Sequence, residues 1–202
     1  MKSGRAYNMT ARRDTVEQTR ERILQAAYDT WLRFPYDHVT LDAVARDAGT
    51  TRQTVLRHFG SKDELAVAVI DWQRPREESA RRVDPGDIVG AVRQLVERYE
   101  EMGDANVRML ELEGRIAPID HLLGVARASH RAWIETTFAP FLPGRGARRE
   151  RLIMTLYAAT DVTVWKLLRR DHGRSRAETE AIIRNLVEGA TQTHSPTRED
   201  QP

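Results

Sequence analysis

Apolar residues return every three or four positions from about residue 20 to residue 190, and strict alternation of apolar and polar residues never persists. That is the periodicity of helices. The first helix is expected from Asp14, with Glu17 three residues on as its capping-box partner. It places Ile23, Ala27, Trp31 and Phe34 on one stripe and stops before Pro35, which cannot continue the ladder. Thr40 can cap a short second helix through Ala48 that buries Leu41, Val44 and Ala45, and Gly49 supplies the turn that ends it. A third short helix, capped by Thr50 or Thr51, runs to Phe59. Gly60 ends it, and Ser61 with Glu64 makes a capping box for a longer helix from Lys62 towards Arg74. Pro75 and then Pro85-Gly86 predict that this helix is kinked, or finished and restarted. Further helices are expected over about 87–102, 105–115, 119–138, 146–170 and 175–190, separated by Pro118, by Pro140 and Pro143, and by His172-Gly173. The fold class is all-α.

Two of these helices carry unusual apolar surface. In 146–170, Ile153, Tyr157, Val164 and Leu168 form one line, while Leu152, Leu156, Val162 and Trp165 lie elsewhere around the helix, which therefore needs partners on both faces. The next helix, capped by Ser175 with Glu178, gathers Ile182, Ile183, Leu186, Val187 and Ala190 into a tight stripe. Two consecutive helices of this kind can supply a four-helix interface across a twofold axis. The residues expected there are Leu156, Val162, Trp165, Ile182, Ile183, Leu186 and Val187; the alternative is that these stripes only close the chain's own core.

Composition narrows the function classes. The chain has 202 residues, 40% hydrophobic and 31% charged, enough for one large or two small domains. With no Cys there are no disulfides, no thiolate chemistry and no Cys-based metal sites. The longest largely apolar run, 152–160, is far short of the roughly 20 residues of a bilayer span, and no apolar stretch follows Lys2 and Arg5 as in a secretory signal, so a cytoplasmic location without membrane contact is expected. Net charge is only +2, from 32 Lys and Arg against 30 Asp and Glu. The sequence pI of about 9.1 reflects the preponderance of Arg, since Lys2, Lys62 and Lys166 are the only lysines. The excess lies in residues 1–64, with 11 cations against 9 acids, while 65–202 carry 21 of each. Lys2, Arg5, Arg12 and Arg13 precede the first acid, Asp14, and form either a solvated tail or an arm that touches phosphate.

Two short helices joined by a glycine turn, followed by a longer one, have the order of a helix-turn-helix, whose second helix enters the DNA major groove. On that helix Arg52, Gln53, Thr54, Arg57 and His58 face outward, whereas Val55 and Phe59 face the core. Arg can fork to guanine, Gln can pair with adenine, and the Thr methyl can meet that of thymine.

These residues resemble a known family. Ile23-Leu24-x-Ala26-Ala27, then Thr40-Leu41-x-x-Val44-Ala45-x-x-Ala48-Gly49, then Thr54-Val55-Leu56-Arg57-His58-Phe59-Gly60-Ser61-Lys62-x-x-Leu65 are similar to the DNA-binding domain of TetR-family transcriptional regulators over about residues 15–70. The resemblance implies a homodimeric, all-α, ligand-responsive regulator, usually a repressor, bound to a roughly palindromic double-stranded operator. It places Thr40 and Thr51, at two helix N-termini, on phosphate, which the anion affinity of helix N-termini supports. It places Lys62 on the DNA backbone and Arg52, Gln53, Thr54 and Arg57 on the bases. His58 either contacts the backbone or is a satisfied histidine that locks the turn. Leu56 stands where many members have a phosphate-contacting Tyr and is free to meet a thymine methyl instead, and Phe34-Pro35-Tyr36 replaces the usual Gly-containing turn.

The domains expected are a flexible basic arm over 1–14, the helix-turn-helix domain over 15–62, a helical effector-binding and dimerisation domain over 63–192, and a disordered tail over 193–202. An effector pocket would lie among the later helices, with Tyr99, Met102, Met109, Trp133, Phe138, Tyr157 and Asp161 as candidates, and its Met and aromatic content points to a small hydrophobic or aromatic molecule. No cofactor or metal is expected. The chain has no His-Glu-x-x-His, phosphate loop or nucleophile elbow, and Glu111, Glu113, His121 and His130 are expected in solvated or capping roles rather than catalysis. The rival readings are an all-α enzyme or ligand carrier whose N-terminal hairpin is structural, and a protein-interaction scaffold.

Overall fold

A computed structural model describes the backbone of residues 3–193 and the side chains of 15–192. The basic side chains of the arm and residues 194–202 of the expected tail lie outside the described residues. Among the described residues there are helices and turns and no strand, as expected for an all-α chain. The helices are α1 (Ser3–Arg33), α2 (Leu41–Asp47), α3 (Arg52–Phe59), α4 (Lys62–Ala80), α5 (Ile88–Leu110), α6 (Ala117–Thr137), α7 (Ala147–Thr160), α8 (Val162–Lys166) and α9 (Arg176–Thr193). No helix among them is long and apolar enough to cross a membrane.

The chain divides into two compact units. One holds the residues up to Arg76 together with Leu112–Leu122, and the other holds Glu77–Glu111 with the chain from Leu123 on. In the first, α1 packs on α2 and α2 on α3, and Ile23, Leu24, Ala27, Val44, Val55 and Leu65 are completely or almost completely buried. In the second, α5 packs against α8 and α9, and α7 against α9. Its core gathers Val92, Leu95 and Val96 of α5, Ile134 of α6, Leu152, Ile153 and Leu156 of α7, Trp165 of α8, and Ile183 and Val187 of α9, with Phe138 just after α6.

The expected helix ends are met where a cap is local. Thr40 Oγ1 accepts from Ala43 N (3.2 Å), Ser61 Oγ from Glu64 N (3.1 Å), and Ser175 and Glu178 close a reciprocal box at 3.2 and 2.9 Å. Three expectations are corrected. α1 starts at Ser3 rather than Asp14. α4 runs through Pro75 and ends at Ala80, and the chain restarts as α5 at Ile88, after Pro85-Gly86; Pro75 has no N–H for the Asp71 carbonyl, and the Arg76 guanidinium donates to the neighbouring Trp72 carbonyl at 2.8 Å. The other two lie in the second unit. α5 is one helix through Gly103-Asp104, and Gly103 is there because a Cβ would stand only 2.4 Å from the Trp165 ring.

The helix expected over 146–170 is instead broken at Asp161, whose backbone is extended (φ −71°, ψ 149°). Its carboxylate caps α8 through Thr163 N (2.9 Å) and Thr163 Oγ1 (2.6 Å). The Thr160 carbonyl that the break frees accepts from the Tyr99 hydroxyl at 2.9 Å. A wide turn over Leu167–Asp171 then closes this arm of the fold.

Candidate functional site

The outward face of α3 is built from the inside. Val55 (0% exposed) and Phe59 (8%) fix the helix to its unit, so the residues between them must turn out. Arg52, Gln53 and Arg57 are exposed, Thr54, Leu56 and His58 half-buried, and Thr51, Gln53, Thr54, Leu56 and Arg57 line a shallow surface depression. Thr51 caps α3 by accepting from Thr54 N at 3.2 Å, and its hydroxyl pairs with that of Thr54 at 3.0 Å. The first turns of α2 and α3 thus present their remaining N–H groups to solvent beside two threonine hydroxyls, an arrangement suited to phosphate.

The turn that holds α3 to α4 depends on Gly60, at φ 80°, where a residue with a Cβ would be strained and would also meet the Glu64 carboxylate. Arg20 lies 5.1 Å over the Phe59 ring. His58 leans on Phe59 with ring centres 6.1 Å apart, and burial, followed by the charges of Arg57 and Arg20, lowers its pKa, so it is neutral at physiological pH. Its packing on Phe59 suits the locking role, and a neutral imidazole keeps one N–H donor for a backbone contact.

The three cations of this face differ in commitment. Arg52 pairs with Asp42 of α2 at 3.7 Å, both largely exposed. Lys62 is held inside its unit: Nζ donates to the Tyr36 carbonyl at 2.5 Å and sits 4.3 Å from the Tyr36 ring centre, and its pKa is lowered by burial. Tyr36, 4% exposed, donates from its hydroxyl to Asp63 at 2.6 Å. The turn Phe34-Pro35-Tyr36 therefore seats the start of α4, a role no local pattern announced. Gln53 and Arg57 make no hydrogen bond or ion pair among the described residues.

The residues proposed for an effector divide. Tyr99 (8% exposed) and Phe138 (0%) are core, and Tyr99 and Asp161 serve the break between α7 and α8. Met102 and Met109 are half-buried on α5. Trp133 and Tyr157 come together around two residues that periodicity did not single out for binding, Arg81 and His130. The Arg81 guanidinium donates to His130 Nδ1 at 2.6 Å and lies 4.7 Å from the Trp133 ring centre, and Trp133 Nε1 donates to the Arg81 carbonyl at 3.0 Å. His130 stacks on Trp133 (5.4 Å) and meets Tyr157 edge-on (4.7 Å). The solvated or capping role expected for His130 is corrected, since it is 6% exposed. Its i, i+4, i+8 line with Ile134 and Phe138 was the available signal.

The apolar stripes expected at a dimer interface are also corrected in part. Leu156, Val162, Trp165, Ile183 and Val187 are buried within their own unit, because α5 supplies the partner surface for α8 and α9. Ile182 (36% exposed) and Leu186 (48%) remain outward on α9, with Met154 (48%) on α7.

Residues 23–69 match the family model for bacterial regulatory proteins of the tetR family. The HTH-type transcriptional regulator SrpR of Pseudomonas putida is 43% identical over 62 residues, covering 30% of this chain and 29% of its own length. A transcriptional repressor of the same type from Streptomyces coelicolor is 30% identical over 98 residues, 48% of this chain and 50% of its own. The matched stretches thus span half or less of those relatives. The crystal structure of a tetR-family transcriptional regulator from Streptomyces coelicolor shares the fold over 92% of both chains, with a TM-score of 0.69 and 18% identity. Residues 23–69 are thus similar to the tetR family of bacterial regulatory proteins, and the fold of nearly the whole chain is that of a solved tetR-family regulator.

Proposed function

We propose that the protein is a homodimeric transcriptional repressor that binds a palindromic operator through residues 51–58 and releases it when a small hydrophobic or aromatic molecule enters the second unit. The observation that carries this reading is the outward face of α3, with Gln53 and Arg57 uncommitted between the capped N-terminus at Thr51 and the anchored Phe59. Arg52, Gln53, Thr54 and Arg57 read base edges, Leu56 offers an apolar contact to a thymine methyl, and the helix starts at Thr40 and Thr51 take phosphate. His58 supports the turn. Lys62, which gives one donor to the Tyr36 carbonyl, has two further N–H donors for a phosphate.

Dimerisation would use Ile182, Leu186 and Met154, which leave apolar surface on α7 and α9 after the core is closed. In such a dimer the two reading helices lie roughly 34–36 Å apart, or a multiple of that. An effector that prefers the dimer with the wrong spacing shifts the population off DNA. The test is fluorescence anisotropy on DNA flanking the protein's own gene against random duplex over a salt series. Sequence preference that Gln53→Ala relaxes supports the proposal; equal binding to random DNA overturns it.

A further inference from the structure

The second unit holds a cation, Arg81, that no acid among the described residues neutralises. Arg81 follows the last residue of α4, and its guanidinium is packed between the Trp133 ring and His130. An arginine does not give up its proton, so His130 Nδ1 accepts. The imidazole proton therefore sits on Nε2, 2.9 Å from Thr160 Oγ1, which itself donates to the Leu156 carbonyl at 2.7 Å. Burial, with the charge of Arg81 added, pushes the His130 pKa down to about 3, so the ring is a neutral wall of the site.

The other neighbours are neutral too. Tyr99 and Tyr157 face the guanidinium, and burial raises both phenols. Asp161 acts on those phenols, but its carboxylate is occupied at the start of α8. Arg127, which acts on Tyr157, is exposed. Among the described residues no carboxylate pairs with Arg81. A guanidinium enclosed without a counter-charge is a destabilising choice where methionine or leucine would pack, and ring faces offset only part of that. What resolves it is an anion from outside.

The walls say which anion. One enclosed cation balances one negative charge, whereas a phosphate monoester or a dicarboxylate would bring a second charge among aromatic rings. The guanidinium fork matches a carboxylate, and Trp133 and Tyr157 offer flat apolar surface. We propose that Arg81, His130, Trp133 and Tyr157 form the effector site, and that it takes a monocarboxylate with an aromatic or otherwise flat apolar body. This rests on the ligand-responsive reading above and names the chemistry of that ligand. It also gives the ligand a route along the chain, because Arg81 directly follows the helix whose first residue, Lys62, comes two positions after the turn that ends α3.

The probes are benzoate and naphthoate, their neutral amides, and acetate, titrated into the full chain without DNA by calorimetry and intrinsic tryptophan fluorescence. Naphthoate and benzoate bind more tightly than benzamide and naphthamide by about tenfold or more, the size expected of a charge-assisted pair, and acetate, with no flat body, binds more weakly than either aromatic acid. Arg81→Met folds with undiminished stability and loses the preference for acid over amide. Arg81→Lys, which keeps the charge without the fork, weakens the acids and leaves the amides unchanged, and carries the test if the methionine variant does not fold. Equal binding of acid and amide, a preference that survives Arg81→Met, or no acid binding at millimolar concentration overturns the proposal. Operator anisotropy on the same preparation separates the two readings. Operator binding without acid preference removes the carboxylate site alone; acid preference without operator binding leaves the site and removes the regulator.

Discussion

Gly103 is the position where two opposing effects of one methyl group are both large enough to measure. It lies in the interior of α5, where replacing glycine by alanine ordinarily stabilises a helix by about 0.8–1 kcal/mol. Its Cβ, however, would stand 2.4, 2.6 and 2.8 Å from three carbons of the Trp165 ring. Ordinary contact requires at least about 3.5 Å, so the ring must retreat by about 1 Å. It has nowhere to go: Trp165 is completely buried, its Nε1 is bonded to Glu100 at 2.9 Å, Tyr99 lies on one side with ring centres 6.0 Å apart, and Arg170 lies 4.6 Å from the ring centre.

Forcing an extra carbon into such packing costs about 1–3 kcal/mol, and displacing the indole also strains its bond to Glu100. The clash outweighs the helix gain, and Gly103→Ala should lose about 1–2 kcal/mol, which for a chain of this size lowers the Tm by roughly 2–8 °C. Gly124 is the control. It lies within α6 with nothing within 4 Å of a built Cβ, so Gly124→Ala should gain about 0.5–1 kcal/mol. Urea unfolding followed by helical circular dichroism compares the pair. If Gly103→Ala is as stable as Gly124→Ala, the close approach of Trp165 to α5 is wrong.

Lys62→Met should cost about 1–2 kcal/mol of stability through the lost bond to the Tyr36 carbonyl and its place over the ring, and should weaken binding to all DNA sequences alike; an affinity loss with unchanged Tm would show that this bond is not held. Glu100 is lowered from 4.5 to about 2, first by its hydrogen bonds from Arg169; burial opposes this, and the bond from Trp165 and the charges of Arg169 and Arg170 add to the lowering. A depressed carboxylate contributes stability above its unfolded pKa and loses it as pH falls through the folded one. Glu100→Gln should therefore cost about 2 kcal/mol at neutral pH after allowance for solvent screening, with the deficit shrinking from pH 4.5 to pH 2. A deficit constant over that range would refute the assignment. Arg57→Ala should leave stability within about 0.5 kcal/mol of the parent, since the side chain is exposed and has no partner among the described residues, and should relax base preference in the operator titration.

The parts of this molecule that the sequence discloses are those whose causes lie within one turn of helix. Thr40 with Ala43, Thr51 with Thr54, Ser61 with Glu64 and Ser175 with Glu178 each close a bond across three residues, and each marks a helix start where expected. Gly49 and Gly60 take the positive φ that ends the two short helices. The errors share the opposite property. Gly103 reads as a breaker because its reason, Trp165, is remote in sequence. The break at Asp161 depends on Tyr99 accepting the role of cap for Thr160. Ile183 and Val187 read as interface because nothing near them shows that α5 consumes their stripe. Arg81 has no apolar periodicity to betray it, and His130 fits the stripe of α6 only if a histidine is admitted to a core.

Charge is the quantity in which the near-neutral whole and the DNA-facing part must be reconciled. In the second unit the cations are largely spent on neighbouring acids: Arg98 on Glu77, Arg169 on Glu100, Arg170 on Asp104, Arg131 on Glu150. Of the three assigned to the DNA face, Lys62 is tied to Tyr36 and Arg52 to Asp42, so Arg57 alone has no partner among the described residues. Each neutralised phosphate contributes about −0.9 to the slope of log affinity against log salt. If Arg52 and Arg57, besides reading base edges, each neutralise one phosphate in each copy of the proposed dimer, the slope is about −3.6, shallow for an operator-binding protein. Such a protein holds DNA mainly through uncharged donors, the N–H groups and hydroxyls at the starts of α2 and α3, whose bonds survive salt but demand correct register. Weak attraction to arbitrary DNA and strong dependence on fit are then one property. A slope of about −5.4 would mean that Lys62 also takes a phosphate in each copy; one twice as steep as about −3.6 would mean that cations among Lys2, Arg5, Arg12 and Arg13 reach the phosphates, and would move the origin of affinity from α3 to the chain that precedes it.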